Sequence, residues 1–304
     1  MTPLASVAVT GSRGLIGTAL CESLARDGVR VVRVVRSNAG PDDVLWDPAA
    51  GTIDSARLEG VDGVVHLAGE GIAEKKWTEA HKREVLASRV NGTNTLSNAL
   101  AVMKRKPYVF ASGSAIGFYG DRGDEMLDET SLLGNGFLAS VVQAWEEAAE
   151  PAKATGIRVA YLRTGIVLST KGGALKQQLL PFKLGLGGRL GSGRQYLPWI
   201  SLDDEVAAIK YVLLTSAIEG PVNLTSPDPV TNAVFTKSLG KALRRPTLLP
   251  IPLTPLKLRY GTEMVKEMLL SSSRVLPKKL LGNGFTFTHT NLPDALDYLL
   301  RTNG

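Results

Sequence analysis

The chain has 304 residues and is poor in the residues that build disulfide, metal and membrane proteins. Its single cysteine, Cys21, excludes an internal disulfide, so the fold does not depend on an oxidising compartment. Cys21 reads as a small helix residue rather than a nucleophile. The three histidines, His66, His81 and His289, stand far apart without ligand spacing, and no metal site is expected. No apolar run approaches the ~20 residues of a bilayer span, and the run from 31 to 35 is broken by Arg33. A strand-like "SVAVTG" begins almost at the first residue, which leaves no room for a signal peptide, and a cytoplasmic protein with no membrane partner is expected. Repeats and low-complexity tracts are also missing. The net charge of +6 comes from scattered basic residues with no zinc-finger or RNA-binding signature, so a phosphate-rich small molecule is expected rather than nucleic acid.

What is present has the texture of an α/β protein. Apolar residues at 44% and charged residues at 21% give an ordinary globular balance. Short β-branched runs alternate with helical patterns: "SVAVTG", a helix through "LIGTALCESLARDG", "VRVVRVVR", then "VDGVVHLAG". "VLWDPAAGTID" reads as irregular. A long helix is expected from about Thr78 to Leu100, followed by "YVFASGS", a helix in "GNGFLASVVQAWEEAA" and a strand in "IRVAYLRTGIVL". This predicts a doubly wound parallel sheet of the NAD(P)-binding Rossmann type over 1–170, with later segments returning to it. Residues 171–304 supply mainly a smaller substrate lobe, with a C-terminal helical segment from about 246.

"VTGSRGLIG" carries the strongest chemical signal. Gly11, Gly14 and Gly17 mark a strand-to-helix turn that lets the backbone approach a pyrophosphate. Ser12 and Arg13 fill the turn, and Leu15 and Ile16 open the helix whose free N–H groups and dipole stabilise the anion. The second strand ends at Arg36, where an NAD site places an acid for the ribose hydroxyls. Arg36 and Arg13 together suit a 2′-phosphate through charge-assisted bidentate bonds, so NADP(H) is the expected cofactor. The bland alternative is that both are solvated loop arginines.

"TGSRGLIG", "HLAG", "SRVNGT", "SGSAIGFYG" and "LRTGIVL" resemble an extended short-chain dehydrogenase/reductase of the nucleotide-sugar epimerase-like branch. "HLAGEGIAEKKW", "LPFKLGLGGRLGSGRQYLPWISLDD" and "GNGFLASVVQAWEEAA" narrow the resemblance to an atypical subgroup. Its members are named epimerase family proteins, short-chain dehydrogenase family 39U or cell-division-inhibitor-like, and the likeness spans nearly the whole chain. The resemblance implies that Leu67, Ala68 and Gly69 run along the adenosine-to-ribose part of the cofactor. It also points to Glu84 on the long helix as a cofactor contact, and implies that Ser112 and Ser114 end the strand whose serine bonds the substrate oxygen; Arg89 on the same helix is expected to reach the cofactor's ribose or phosphates. Pairing of two long helices into a homodimer is common in the superfamily resembled.

The catalytic pattern itself is broken. Where the family has Tyr-x-x-x-Lys, this sequence has Phe137 and Val141, and Arg89 stands where an Asn is expected. Phenylalanine exchanges no proton and valine carries no charge, so any hydride transfer must use other groups. Ser114 and Tyr119 are the candidates, although Tyr119 also reads as a residue packed under its loop. In the far lobe Arg194, Gln195 and Tyr196 suit a polar or phosphate-bearing small-molecule substrate, whereas Trp199 reads as core. Two functions follow: an NADP(H)-dependent oxidoreductase or epimerase-like protein, or a catalytically inactive NADP(H) sensor.

Overall fold

The computed structural model describes residues 4–301. Strand β1 (Ser6–Thr10) is buried along its whole length. Because side chains alternate across a strand, Val7 and Val9 enter one apolar core and Ala8 enters another. A strand covered on both faces has no need of polar alternation, which is why the first strands read as continuous apolar runs. After the turn comes helix α1 (Leu15–Arg26), closed by Gly28 at φ 78°, where the chain turns back into β2 (Arg30–Val35).

The central sheet continues with β3 (Val44–Asp47), β4 (Thr52–Ile53) and β5 (Gly63–His66). Helix α2 (Glu79–Ala101) follows, its first turn capped by the Thr78 hydroxyl accepting from the His81 N–H. Next come β6 (Val109–Ala115), a short β7 (Met126–Leu127), helices α3 (Phe137–Glu147) and α4 (Glu150–Lys153), and β8 (Arg158–Thr164). Gly165 separates β8 from β9 (Ile166–Leu168), so "IRVAYLRTGIVL" is two strands; β9 pairs with β11 (Trp199–Ser201), which follows the short β10 (Tyr196–Leu197), instead of continuing the sheet. "VLWDPAAGTID" is likewise an antiparallel β3–β4 pair and not irregular chain, with Trp46 buried.

Eight strands form the sheet in the order β12-β8-β6-β5-β1-β2-β3-β4, where β12 is Gly220–Leu224. All neighbours are parallel except β3 and β4. The chain winds outward from β1 in one direction and from β5 in the other, so a switch point opens between them, and ligands bind outside the carboxyl ends at such points. Helix α5 (Gly173–Lys183) leads toward α6 (Leu202–Leu214), which packs on the α1 face of the sheet. Together with β12 and Leu280, Phe285 and Phe287, α6 brings later residues back to the main core. The remaining lobe gathers α5, α7 (Asn232–Ala242) and the helix Leu292–Arg301 around Phe182, Trp199, Phe235 and Leu296. Among the described residues no helix is long and apolar enough to cross a membrane.

Candidate functional site

At Gly11 and Gly17 the turn after β1 has no space for a side chain. Gly11 sits at φ 64°, and a Cβ there would lie 2.7 Å from the carbonyl carbon of Leu67. A Cβ on Gly17 would fall 2.1 Å from the carbonyl oxygen of Gly11. The Gly14 N–H donates to Gly11 O at 2.9 Å, and α1 begins with neither a side-chain cap nor an acid in its first turn. The first helical N–H groups therefore stay available to an anion. In front of them lies a cavity of about 370 Å³ lined by Gly11, Ser12, Arg13, Gly14, Val34 to Ser37, Trp46 and Leu67 to Glu70. Arg13 is steadied by donating to Asn38 O at 2.8 Å, and Arg36 lies exposed at the rim. The turn is tied to β5 by Thr10, whose hydroxyl oxygen accepts from the N–H groups of Leu67 (3.0 Å) and Ala68 (3.2 Å). Its own proton goes to His66 Nδ1 at 2.7 Å. Burial, with the Arg89 charge nearby, lowers His66 to about 4 and keeps the ring neutral.

A second cavity, about 490 Å³, opens at the carboxyl ends of β6 and β8. Arg89 of α2 stands between the two. It donates to Glu70 O and Val85 O, both at 3.1 Å, covers the ring of Trp145 at 5.1 Å, and approaches Gly69. Burial lowers its guanidinium to about 10, against the opposing charge of Glu70. Ala115, Val141, Val142, Trp145, Thr164, Ile166 and Tyr196 line this second cavity. Its remaining wall comes from far along the chain. Glu267 lines it and caps α3, accepting from Phe137 N–H at 3.0 Å and Leu138 N–H at 2.9 Å. Gly136, at φ 110°, leaves room for that carboxylate, which a Cβ would meet at 2.9 Å.

Residues 7–224 match the NAD dependent epimerase/dehydratase family. The chain belongs to that family. Residues 251–299, which include Glu267, match a domain of unknown function, DUF1731. The epimerase family protein Mb2239 of Mycobacterium bovis is 43% identical over 295 residues, covering 97% of each chain. Human epimerase family protein SDR39U1 is 34% identical, covering 95% of this chain and 98% of its own. The crystal structure of human SDR39U1 (isoform 2) with NADPH is similar at a TM-score of 0.89 and 33% identity, covering 97% of this chain and 99% of that one. A nucleoside-diphosphate sugar epimerase from Corynebacterium glutamicum is similar at a TM-score of 0.81 and 37% identity, covering 98% of this chain and 58% of that one.

Within this epimerase-family frame the expected site residues fall into groups. Gly11, Ser12, Arg13, Gly14, Arg36, Leu67, Ala68 and Gly69 all line the first cavity. Leu15, Ile16 and Gly17 form the first turn of α1 behind it. Glu84 does not line it; the side chain is exposed and faces His81 Nδ1 at 3.4 Å and Lys75 Nζ at 4.0 Å. The fold does bring one histidine to two acids: ligand atoms of Glu70, His81 and Glu84 lie within 4.8 Å of one another. Lys75, 3.6 Å from Glu70, supplies positive charge to that group.

The catalytic candidates sit elsewhere than their motif suggests. Ser114 does not line the second cavity; its hydroxyl donates to Glu146 Oε1 at 2.6 Å. Glu146 holds Arg163 at 2.8 and 2.9 Å, and Arg163 donates to the Tyr119 oxygen at 3.1 Å. Tyr119 is fully buried, donates to Asn223 Oδ1 at 2.7 Å, and is pushed up to about 12 by burial. The cavity-lining position on β6 is the next residue, Ala115, because neighbouring strand residues point to opposite sides. Ser112 is buried with an unpartnered hydroxyl and lines neither cavity. Phe137 packs edge-on to Trp77 at 5.1 Å, with Lys82 Nζ 5.0 Å from its ring, while Val141 faces the cavity. In the lobe Arg194 is exposed and off the cavity, Gln195 donates to Leu190 O and Leu269 O, and Tyr196 lines the wall. Trp199 is core, as expected, donating to Asp228 O at 2.9 Å. Glu267, Thr164 and Ala115 were not anticipated. Ala115 could have been found from strand alternation; Glu267 had no local signal.

Proposed function

We propose that this protein binds NADP(H) in the first cavity and carries out hydride transfer on a small polar carbonyl or alcohol in the second. One observation carries the cofactor assignment. A glycine turn and an uncapped helix start face the same cavity as Arg13 and Arg36, and no acid stands at the end of β2. A pyrophosphate suits the N–H groups, and a 2′-phosphate suits the two guanidiniums. The NADPH bound by human SDR39U1 supports the same reading. When bound, the cofactor supplies the hydride; the chain's own residues orient it. Arg89 bridges the two cavities at the level of Gly69, where it can hold the ribose in place of the missing lysine.

Calorimetric titration tests the assignment. Arg36→Asp is expected to weaken NADPH binding by about 1.5–3 kcal/mol, roughly tenfold or more, and to favour NADH. Equal NADPH affinity in wild type and variant would refute it.

A non-catalytic sensor is the second reading, favoured by Val141, which brings no charge to the cavity where the resemblance expects a lysine, and by Ser114, whose hydroxyl is turned to Glu146. Following reduced-nicotinamide absorbance across a panel of aldehydes, ketones and quinones separates the two. The enzyme reading expects turnover with some acceptor, and the sensor reading expects binding with none.

A further inference from the structure

Thr164 is the register partner of Ala115 across β6 and β8, and both residues line the second cavity. A hydroxyl absent from one strand is thus present on its neighbour. Behind Thr164 lies Glu205, in the first turn of α6, with no exposed surface. The Thr164 and Glu205 oxygens are 2.8 Å apart, and the second Glu205 oxygen is buried without a partner. No ion pair reaches Glu205 among the described residues, and the charges on the elements around it are committed elsewhere. Arg163 of β8 holds Glu146, Asp204 accepts the Thr288 and His289 N–H groups, and Lys210 pairs with Asp27 beyond α1. Glu22 and Arg26 of α1 are exposed, and β6, β9 and β11 carry no titratable side chain.

A carboxylate without a counter-ion in such a place neutralises rather than remains charged. Burial accordingly holds Glu205 up at about 8, with only the Thr164 hydrogen bond opposing it. A neutral Glu205 donates its proton to the Thr164 oxygen. That frees the threonine's own proton, which goes to Glu205 when the carboxylate is ionised and, when it is neutral, has only Leu162 O, at 3.4 Å, to receive it.

We propose that Thr164 and Glu205 form a proton relay in which Thr164 delivers a proton to the oxygen of a carbonyl reduced in the second cavity and Glu205 restores it. The relay rests on the hydride-transfer reading above. The carbonyl carbon takes a hydride, with its two electrons, from the reduced nicotinamide. The C=O π pair moves to oxygen, which takes the Thr164 proton as the threonine oxygen takes the proton of Glu205. An alcohol, the oxidised cofactor and a Glu205 carboxylate result. Water entering the emptied cavity reprotonates Glu205 through Thr164. Thr164 is the catalytic residue in this scheme, and Glu205 acts through it.

Two measurements on the full chain test the relay. Infrared spectroscopy of wild type at neutral pH is expected to show the carbonyl stretch of one protonated buried carboxyl group. That band should be missing in Glu205→Gln, shifted in Thr164→Val, and lost as pH rises through about 8. A band absent from wild type, or surviving in Glu205→Gln, overturns the proposal. Single-turnover oxidation of bound NADPH by an ortho-quinone or diketone then reads the chemistry. Glu205→Gln and Thr164→Val are expected to slow it on the order of 10²-fold, with NADPH affinity unchanged and Thr164→Ser restoring the rate. Wild-type turnover matched by both variants overturns the relay and leaves hydride transfer standing. NADPH binding without turnover on any acceptor overturns both.

Discussion

At Gly17 the missing side chain is a requirement of contact. A Cβ there would sit 2.1 Å from a backbone oxygen of the same turn, which has no flexible side chain to move aside. Gly17→Ala is therefore expected to push α1 off the turn, costing about 1–3 kcal/mol and abolishing NADPH binding in a fluorescence titration. Gly282→Ala, where nothing lies within 4 Å, serves as the control and should leave both unchanged. The glycines were legible in the sequence because their requirement is local, set by spacing within one turn. Ser114 was not, because a one-residue difference in strand phase decides whether a hydroxyl meets the cavity or Glu146. Nothing near Tyr119 in sequence announces Asn223 or Arg163, which fix its hydroxyl from 104 and 44 residues away.

Among the elements, α3 shows the same division. Its apolar periodicity was readable, and the helix spans Phe137–Glu147. Its cap comes from Glu267, 130 residues later, and no local pattern encodes such a pairing. The carboxylate neutralises the partial positive charge of the helix start and satisfies two backbone donors there. Glu267→Ala is expected to destabilise the protein by about 0.5–2 kcal/mol in urea unfolding, and Glu267→Gln by less. Phe137→Tyr with Val141→Lys writes into this helix the Tyr-x-x-x-Lys pattern that the resemblance leads one to expect. It should not create proton transfer in the second cavity, because the residue-137 ring lies against Trp77 and Lys82 instead of the cavity. Unaltered turnover or absence of turnover in the double variant checks this. The β3–β4 pair was missed because Pro48, Gly51 and Asp54 mark a turn, while only two residues of each strand pair across it.

For the molecule as a whole, two buried groups set opposing pH limits. His66 drops from its ordinary 6.5 to about 4, so the unfolded chain binds a proton first as pH falls. Stability from this group is present above 6.5 and is lost as pH falls through about 4. Glu205 rises from 4.5 to about 8, so the folded chain keeps a proton that the unfolded chain has released. Its contribution is present below 4.5 and lost as pH rises through about 8. Thermal melts across this range should show wild type most stable on the mildly acidic side of neutrality. Glu205→Gln should remove the alkaline decline and leave the acidic one, whereas a parallel decline in both proteins would refute the assignment.

The segment after residue 250 is attached to the sheet domain in a distinctive manner. Asp121 accepts the Ser272 N–H, Glu129 the Lys279 N–H, and Asp204 the N–H groups of Thr288 and His289. In each case a fixed side chain grips the main chain of the visiting segment, and a main-chain donor is common to nineteen of the twenty amino acids. These bonds read the path of the chain, and side chains of the same segment add to them: the Ser272 hydroxyl donates to Gly123 O and accepts from the Tyr196 N–H, Lys279 Nζ donates to Glu219 O, and His289 Nδ1 meets Ser201 Oγ at 3.0 Å. Thr288, exposed and held by its main chain, should accept wide substitution in a mutational scan, with proline the one replacement that deletes the donor. Intolerance should concentrate at the three acids that do the gripping and at the buried Ser272 and His289, whose side chains bond back to the sheet domain.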